Sequence, residues 1–342
     1  MLLSILDQSP IAEGSSGSQA LQNTLDLARL ADQLGYHRYW VAEHHGGPML
    51  AGPSPEALIG PIASVTDHLR VGSGGVMLPH YSPFKVAETF SVLAGLFPGR
   101  IDLGVGRAAG TDPMTTHALQ RDRTHALPDD FPEQLNELLA YFEGTIKVSN
   151  PLARLQKVLP GRPERPEPWL LGSSPQSAVW AGRLGLPYSF ADFINPNGAE
   201  IAQVYRREFR EGVRLDAPQQ SVAVWALAAD TEQEARRLAA SSQMAFAMLR
   251  RGRLIEVPPP DAAVRFLASL DEADARKVRG RRSILGTPEQ VREGIEAVAS
   301  EYGAQEVIVV TITHDHEARR RSYELIAEAF ALTSPLSRTV ST

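Results

Sequence analysis

The chain has 342 residues and a formal net charge of -6, with 43% hydrophobic and 22% charged residues. This balance is typical of a globular protein with a large core and excludes a chain that is disordered throughout. The acidic charge argues against a nucleic-acid-binding surface, which requires a basic patch. Because the sequence contains no cysteine, redox chemistry would need a bound cofactor rather than a thiol or a disulfide.

The sequence predicts neither a membrane span nor an export signal. No run approaches the roughly 18 to 20 apolar residues of a membrane-spanning helix. The N-terminal residues have neither the charged region nor the apolar length of a signal peptide. We therefore predict a cytoplasmic protein that contacts neither membranes nor nucleic acids.

Short β-type runs alternate with longer helical runs along the chain, which is the pattern of βα units on a parallel sheet. The predicted strands are residues 2–6, 39–42, 71–78, 101–105, 169–171, 188–191, 222–228 and 307–312. Eight such units close a barrel, so we predict an α/β fold in which residues 1–342 form a single (β/α)8 TIM-barrel domain.

Two segments interrupt the alternation. Residues 108–130 are polar and follow the fourth strand, whereas residues 251–285 follow the seventh strand and its helix and contain three consecutive prolines. Long insertions on the βα loops of barrels commonly cover the active site. We expect both to be mobile insertion loops.

A carboxylate and two imidazoles follow the second predicted strand, at Glu43, His44 and His45. Histidine exchanges protons near neutral pH, and a nearby glutamate can orient it or raise its basicity. Zinc ligation is the other reading, but adjacent side chains at a strand end point to opposite sides and cannot easily share one ion. We therefore favour acid/base chemistry and expect no metal.

Glycines occur within the third predicted strand and at the end of the fourth, at positions that would be buried in a barrel. For Gly74 and Gly75 two explanations are open, since a flat ligand ring could approach the backbone or bulky barrel neighbours could need the room. Gly106 and Arg107 end the fourth strand. Arg107 could contact an anionic ligand or form a structural ion pair.

Serines join the fifth strand to the following helix, at Ser173, Ser174 and Ser177. Free backbone N–H groups at a helix N-terminus, together with hydroxyls, can bind a phosphate. An ordinary serine N-cap has the same composition and binds nothing. The local pattern is compatible with both interpretations, a phosphate-binding site and an ordinary N-cap.

Together these motifs resemble the bacterial luciferase-like monooxygenase superfamily, and most closely its alkanal monooxygenase-like branch. The similarity spans nearly the whole chain and depends on the order and spacing of the motifs. They are residues 6–10, 42–45, 74–75, 78–80, 98–107, 171–174 and 286–291.

The resemblance implies a flavin-dependent barrel enzyme that takes reduced FMN from a separate flavin reductase. Oxygen would react with the flavin through a C4a-peroxyflavin to oxidise a small organic substrate, and the protein would be a homodimer. Apolar residues in the predicted loops, Met49, Leu50, Met114 and Leu119, indicate an apolar substrate. His44 would be the base or proton donor with Glu43 beside it. The implied flavin contacts are Gly74 and Gly75, joined by a cis peptide, Gly106, Arg107, Ser173, Ser174 and Ser177.

Three alternatives keep the barrel but change the chemistry. A deazaflavin-dependent dehydrogenase would transfer a hydride without oxygen. A non-catalytic FMN-binding protein would hold the flavin only, although retention of Glu43 and His44 argues against it. A metal-dependent hydrolase would need a metal in the purified protein.

Overall fold

Over the residues that the structure describes, nine parallel strands form one sheet, and eight of them close into a barrel. The structure is a computed structural model that describes residues 1–107, 111–120, 123–125, 130–196 and 198–334. The strands are β1 Leu2–Asp7, β2 Arg38–Val41, β3 Arg70–Met77, β4 Ile101–Gly106, β5 Glu167–Gly172, β6 Tyr188–Ala191, β7 Gln220–Ala228, β8 Ile284–Gly286 and β9 Glu306–Val310.

The barrel runs from β1 to β7 in chain order and closes through β9, which pairs with both β7 and β1. The predicted eight-stranded barrel is therefore confirmed. β8 is an additional strand that pairs with the carboxyl end of β7 only, at residues 226–228. Its three residues are too few to show a period, which is why the sequence pattern missed it.

Helices surround the barrel. They are α1 Gly17–Leu34, α2 Pro55–Ser64, α3 Pro83–Leu96, α4 Pro113–Leu119, α5 Phe131–Glu143, α6 Pro175–Leu184, α7 Ala199–Glu208, α8 Glu232–Arg250, α9 Pro260–Ala268, α10 Glu272–Arg279, α11 Pro288–Tyr302 and α12 His316–Ala329, with 3₁₀ turns at Leu78–His80 and Pro151–Lys157. Threonine caps begin α8 and α11. Thr231 accepts the Glu234 N–H, and Thr287 forms a reciprocal capping box with Gln290.

The predicted insertion at residues 251–285 is largely helical, since it contains α9, α10 and most of β8. It is anchored near its start by Val257, which is fully buried, donates its N–H to the Ile11 carbonyl and accepts the Glu13 N–H. In the other insertion, residues 108–110, 121–122 and 126–129 lie outside the described residues, and α4 lies within them. The mobility of both insertions stays a prediction.

Buried charges close the amino end of the barrel. Arg38 contacts both Asp102 and Glu306 at 2.7 Å, and Arg70 adds a second cation to Asp102. Trp40 donates its indole N–H to Asp102 over 2.9 Å. Because every carboxylate here is paired, the cost of burying it is offset. The carboxyl end of the barrel, where the βα loops lie, is the end at which barrel enzymes bind their ligands.

Among the described residues, no helix combines the length and the apolar character needed to cross a bilayer.

Candidate active site

Glu43 holds the loop after β2 in place through its hydrogen bonds. Its side chain is buried, and it accepts the Met77 N–H at 2.9 Å, the Tyr81 hydroxyl at 3.0 Å and the His45 ring Nε2 at 2.8 Å. Burial, followed by the charge of Glu43, raises the pKa of Tyr81, so the phenol keeps its proton and donates to the carboxylate. Glu43 thus ties β2 to the end of β3 and orients His45 rather than His44.

His44 lies next to this cluster without belonging to it. Its backbone N–H donates to the Gly52 carbonyl at 3.0 Å. Its ring Nδ1 is buried and has no hydrogen-bond partner within the described part of the chain. Burial, with a smaller effect of the neighbouring His45, lowers the pKa of His44 to about 4. At neutral pH the imidazole is therefore uncharged, and one of its nitrogens is available to a ligand.

His45 contacts the insertion that follows β4. The His45 and His80 rings meet edge to face with centroids 5.9 Å apart. Thr111, just before α4, donates its hydroxyl to the His45 carbonyl at 2.9 Å. The loop after β2 therefore positions the start of the insertion that follows β4, as expected for a segment that covers the mouth.

The Gly74–Gly75 peptide is cis, as the resemblance implies. A Cβ on Gly74 would lie 2.6 Å from a Leu6 methyl, and one on Gly75 would lie 2.8 Å from the Gly104 carbonyl and closer still to Leu171. The glycines of β3 are thus needed to avoid protein atoms inside the barrel, which favours the packing explanation for their presence. A flat ligand against the same backbone stays a prediction.

At the end of β4, Gly106 is buried and Arg107 is exposed. The Arg107 guanidinium carbon lies 5.7 Å from the centroid of the Trp180 ring, on α6. The side chain therefore lies towards the helix whose N-terminus carries the predicted phosphate-binding serines. Arg107 and the serines, predicted separately from β4 and β5, lie on neighbouring parts of the mouth.

The three serines have different surroundings. Ser174 is the N-cap of α6 and accepts the Ser177 N–H at 3.4 Å. Ser177 is buried, donates its hydroxyl to the Ser174 carbonyl at 2.8 Å and lies 2.9 Å from the Tyr188 hydroxyl. Ser173 and Ser174 face outwards enough to meet a ligand, whereas Ser177 is bonded inside the protein. This geometry favours a positioning role for Ser177, and its predicted phosphate contact is untested.

Asp7, another carboxylate at the mouth, is structural. Arg319 contacts its Oδ1 at 2.6 Å, and the Tyr39 hydroxyl donates to its Oδ2 at 2.5 Å. Burial alone would raise the pKa of Asp7, but the charge of Arg319 and these hydrogen bonds hold it below the ordinary value. The residue pins β1 to α12.

An aromatic group at the mouth was not predicted. Phe193, after β6, and Phe246, on α8, both pack edge to face on Trp225 of β7, with centroids 5.7 and 5.1 Å apart. Arg281 lies over the Phe246 ring at 4.2 Å. These residues are far apart in sequence, and only the position of Trp225 near the end of a buried strand could have signalled them.

The fold is an α/β barrel whose mouth carries titratable side chains after β2 and serines with a helix N-terminus after β5. The profile of the luciferase-like monooxygenase family matches residues 1–306. The chain belongs to that family, which confirms the resemblance seen in the motifs.

Individual relatives agree over the full length. A luciferase-like monooxygenase of Escherichia coli strain K12 is 42% identical, over 94% of this chain and 95% of its own. The crystal structure of apo-MsnO8 is 40% identical with a TM-score of 0.88, and the match covers 97% of this chain and 98% of that one. The oxygenating constituent of 3,6-diketocamphane monooxygenase from Pseudomonas putida, solved with FMN, matches 96% of this chain and 98% of its own with a TM-score of 0.71. At 21% identity it shows the fold alone. These matches support an oxidoreductase of the monooxygenase class.

Proposed function

We propose that this protein is a flavin-dependent monooxygenase that uses reduced FMN, delivered by a separate flavin reductase, and O2 to oxidise a small organic substrate with an apolar body. The observation that carries the proposal is the buried, unpaired Nδ1 of His44. A polar atom of this kind is rare in folded proteins unless a ligand completes its hydrogen bonding. The monooxygenase family supplies the reaction class.

The residues at the mouth fit a planar cofactor with a phosphate. Arg107, Ser173, Ser174 and the N-terminus of α6 combine a cation, hydroxyls and a helix dipole, which is the donor set that binds phosphate. The Gly74–Gly75 backbone and Gly106 would form the wall beside the ring system. Deazaflavin phosphates share these features, so the same donor set serves the dehydrogenase alternative.

When bound, reduced FMN would supply the two electrons which, with two protons, convert one atom of O2 to water while the other atom enters the substrate. His44 is uncharged at neutral pH and can accept a hydrogen bond or proton at one ring nitrogen while donating at the other. Glu43, through Met77 and Tyr81, holds the loop that carries His44. Insertions that cover the mouth would exclude water and so limit side reactions with solvent.

The test uses 18O2. Flavin-free protein is mixed anaerobically with reduced FMN and a small-molecule extract, exposed to 18O2 and analysed by mass spectrometry. We expect at least one organic product that contains 18O and depends on both protein and reduced FMN. Tight FMN binding without any labelled product would instead support a non-catalytic flavoprotein.

A second measurement addresses the cofactor. Equilibrium dialysis under anaerobic conditions compares binding of reduced FMN with binding of the reduced deazaflavin. A clear preference for the deazaflavin, with substrate oxidation that does not need oxygen, would overturn the proposal in favour of the dehydrogenase. Elemental analysis of the purified protein tests the hydrolase alternative, which requires a bound metal. The homodimer and the reductase partner remain proposals by resemblance.

A further inference from the structure

A crevice opens between α8, α10 and the carboxyl ends of β7 and β9. Its enclosed part is narrow, with a cavity volume of about 40 Å³, inside about 550 Å³ of empty space that includes the side open to solvent. Trp225, Phe246 and Ile312 form its apolar inner wall, and Arg250, Lys277 and Arg281 lie along its lining. An apolar wall with cations at the edge suits a ligand that has both characters.

The crevice lies across the barrel from three of the predicted flavin contacts, Gly74, Gly75 and Arg107, whereas the predicted phosphate-binding serines follow β5, two strands from β7. In the closed barrel, β7 lies four strands from β3, and β9 lies four strands from β4. Gly74 and Gly75 are on β3, and Arg107 follows β4. A molecule in the crevice would therefore face the predicted flavin wall from the opposite side of the mouth, as a substrate of the flavin must.

The charged side chains that line the crevice are all positive. Among the described residues that line it there is no aspartate or glutamate. Lys277 is paired with Asp274 at 2.9 Å. For Arg250 and Arg281 the polar contacts are backbone carbonyls, those of Lys277 and Phe193, and neither has a carboxylate within ion-pair distance in the described structure. Two guanidinium groups thus lie near each other without counter-charge.

Arg281 is held in place for binding. It donates to the Phe193 carbonyl over 2.6 Å and stacks on the Phe246 ring, with its guanidinium carbon 4.2 Å from the centroid. Burial, followed by the charge of Arg250, lowers the pKa of Arg281. Because a guanidinium has five N–H donors in a rigid plane, the stacked side chain retains donors for an oxyanion.

We propose that this crevice binds the carboxylate or sulfonate group of an organic substrate, with Arg281 and Arg250 as its partners and Trp225 and Phe246 against its apolar body. The identification of this anion as the substrate rests on the proposed function. Binding of an organic oxyanion in the crevice does not depend on flavin chemistry and can be tested without it.

The experiment is a ligand-observed NMR titration of the flavin-free protein with hexanoate, 1-hexanesulfonate and 1-hexanol. These probes share a chain length and differ in the head group. We expect at least one of the anions to bind about tenfold or more tightly than the alcohol, since hydrogen bonds to charged groups are worth more than neutral ones. The preferred anion then distinguishes carboxylate from sulfonate recognition. Equal binding of all three probes would overturn the proposal.

Two variants locate the site. Arg281→Gln removes the cation, and Gln243→Glu places a negative charge on the lining of the crevice at nearly constant size. Each should weaken anion binding about tenfold and leave hexanol binding unchanged. Gln243→Glu leaves the contacts of Arg281 intact, so it tests the proposal even where Arg281→Gln folds poorly. Arg292→Gln, on the exposed face of α11, is the matched control, and an equal effect there would contradict the assignment.

A competition experiment separates this proposal from the flavin site. Hexanoate is titrated again with the protein saturated with FMN. We expect its affinity to be within about twofold of the flavin-free value. Displacement of the anion by FMN would assign the crevice to the flavin phosphate and overturn the substrate-binding proposal, while leaving the monooxygenase proposal to its own test.

Discussion

His44 and His45 are adjacent in the sequence, but the structure gives them separate environments. His45 is hydrogen-bonded to the buried Glu43, whereas His44 has a buried Nδ1 without a protein partner and a pKa lowered to about 4. The difference arises because Glu43 and His45, two residues apart, lie on the same side of the extended chain. We therefore expect His44, and not His45, to contact a ligand.

Replacement of His44 tests this division. His44→Ala should reduce turnover roughly 100-fold, the usual scale for loss of a general acid or base. FMN affinity should change by only a few-fold, because the predicted phosphate contacts are on β4 and β5. Single-turnover rates and FMN titrations measure the two quantities. Lost FMN binding with unchanged rate per bound flavin would contradict the assignment.

The lowered pKa of His44 also predicts how stability depends on pH. In the unfolded chain the imidazole titrates near its model value of 6.5, and in the folded protein near 4. Between these values the unfolded state binds more protons, so the free energy of unfolding falls as pH decreases through this window. At pH 5 the loss from this group is about 2 kcal/mol.

The comparison is urea unfolding at pH 7 and pH 5 for the wild type and His44→Asn. The wild type should lose about 2 kcal/mol more than the variant on acidification, because asparagine does not titrate. Other groups titrate equally in both proteins and cancel in the difference. Identical pH dependence in the two proteins would show that His44 is not held uncharged.

At the level of elements, the N-terminus of α6 tests the phosphate prediction. Ser173→Ala combined with Ser174→Ala should weaken FMN binding by about 1 to 3 kcal/mol through lost hydrogen bonds. Removing the Ser174 cap should also lower stability by about 0.5 to 2 kcal/mol. Thr287→Ala, which removes the cap of α11, is the matched control. If it weakened FMN binding equally, the effect would be one of stability and not of contact.

The elements also show how far the sequence could lead. Alternating strand and helix patterns predicted the eight barrel strands, because each repeats its period over enough residues to be recognised. Glu43, His44 and the serines were found because they directly follow those strands. β8 and the contacts of Trp225 with Phe193 and Phe246 were missed, since they depend on tertiary packing of residues with no local pattern.

For the whole molecule, the two ends of the barrel have different physical roles. At the amino end, buried charges neutralise one another within the protein, as with Arg38, Asp102 and Glu306. At the carboxyl end, charges and polar atoms such as Arg281 and His44 Nδ1 are left without counter-charge or partner in the described structure. The amino-end network therefore contributes stability, as does the Asp7–Arg319 pair at the carboxyl end, and we expect the unpaired groups at the carboxyl end to contribute binding.

Asp102→Asn tests this separation. The substitution leaves Arg38 and Arg70 with less negative charge in a buried network, and breaking a buried ion pair typically costs about 3 to 5 kcal/mol. FMN affinity of the folded fraction should be unchanged, because the network lies at the opposite end of the strands. Glu232→Gln, which breaks an exposed pair with Arg236, should cost at most about 1 kcal/mol. Urea unfolding and FMN titration measure both effects, and a loss of flavin affinity at full folding would show that the two ends are coupled.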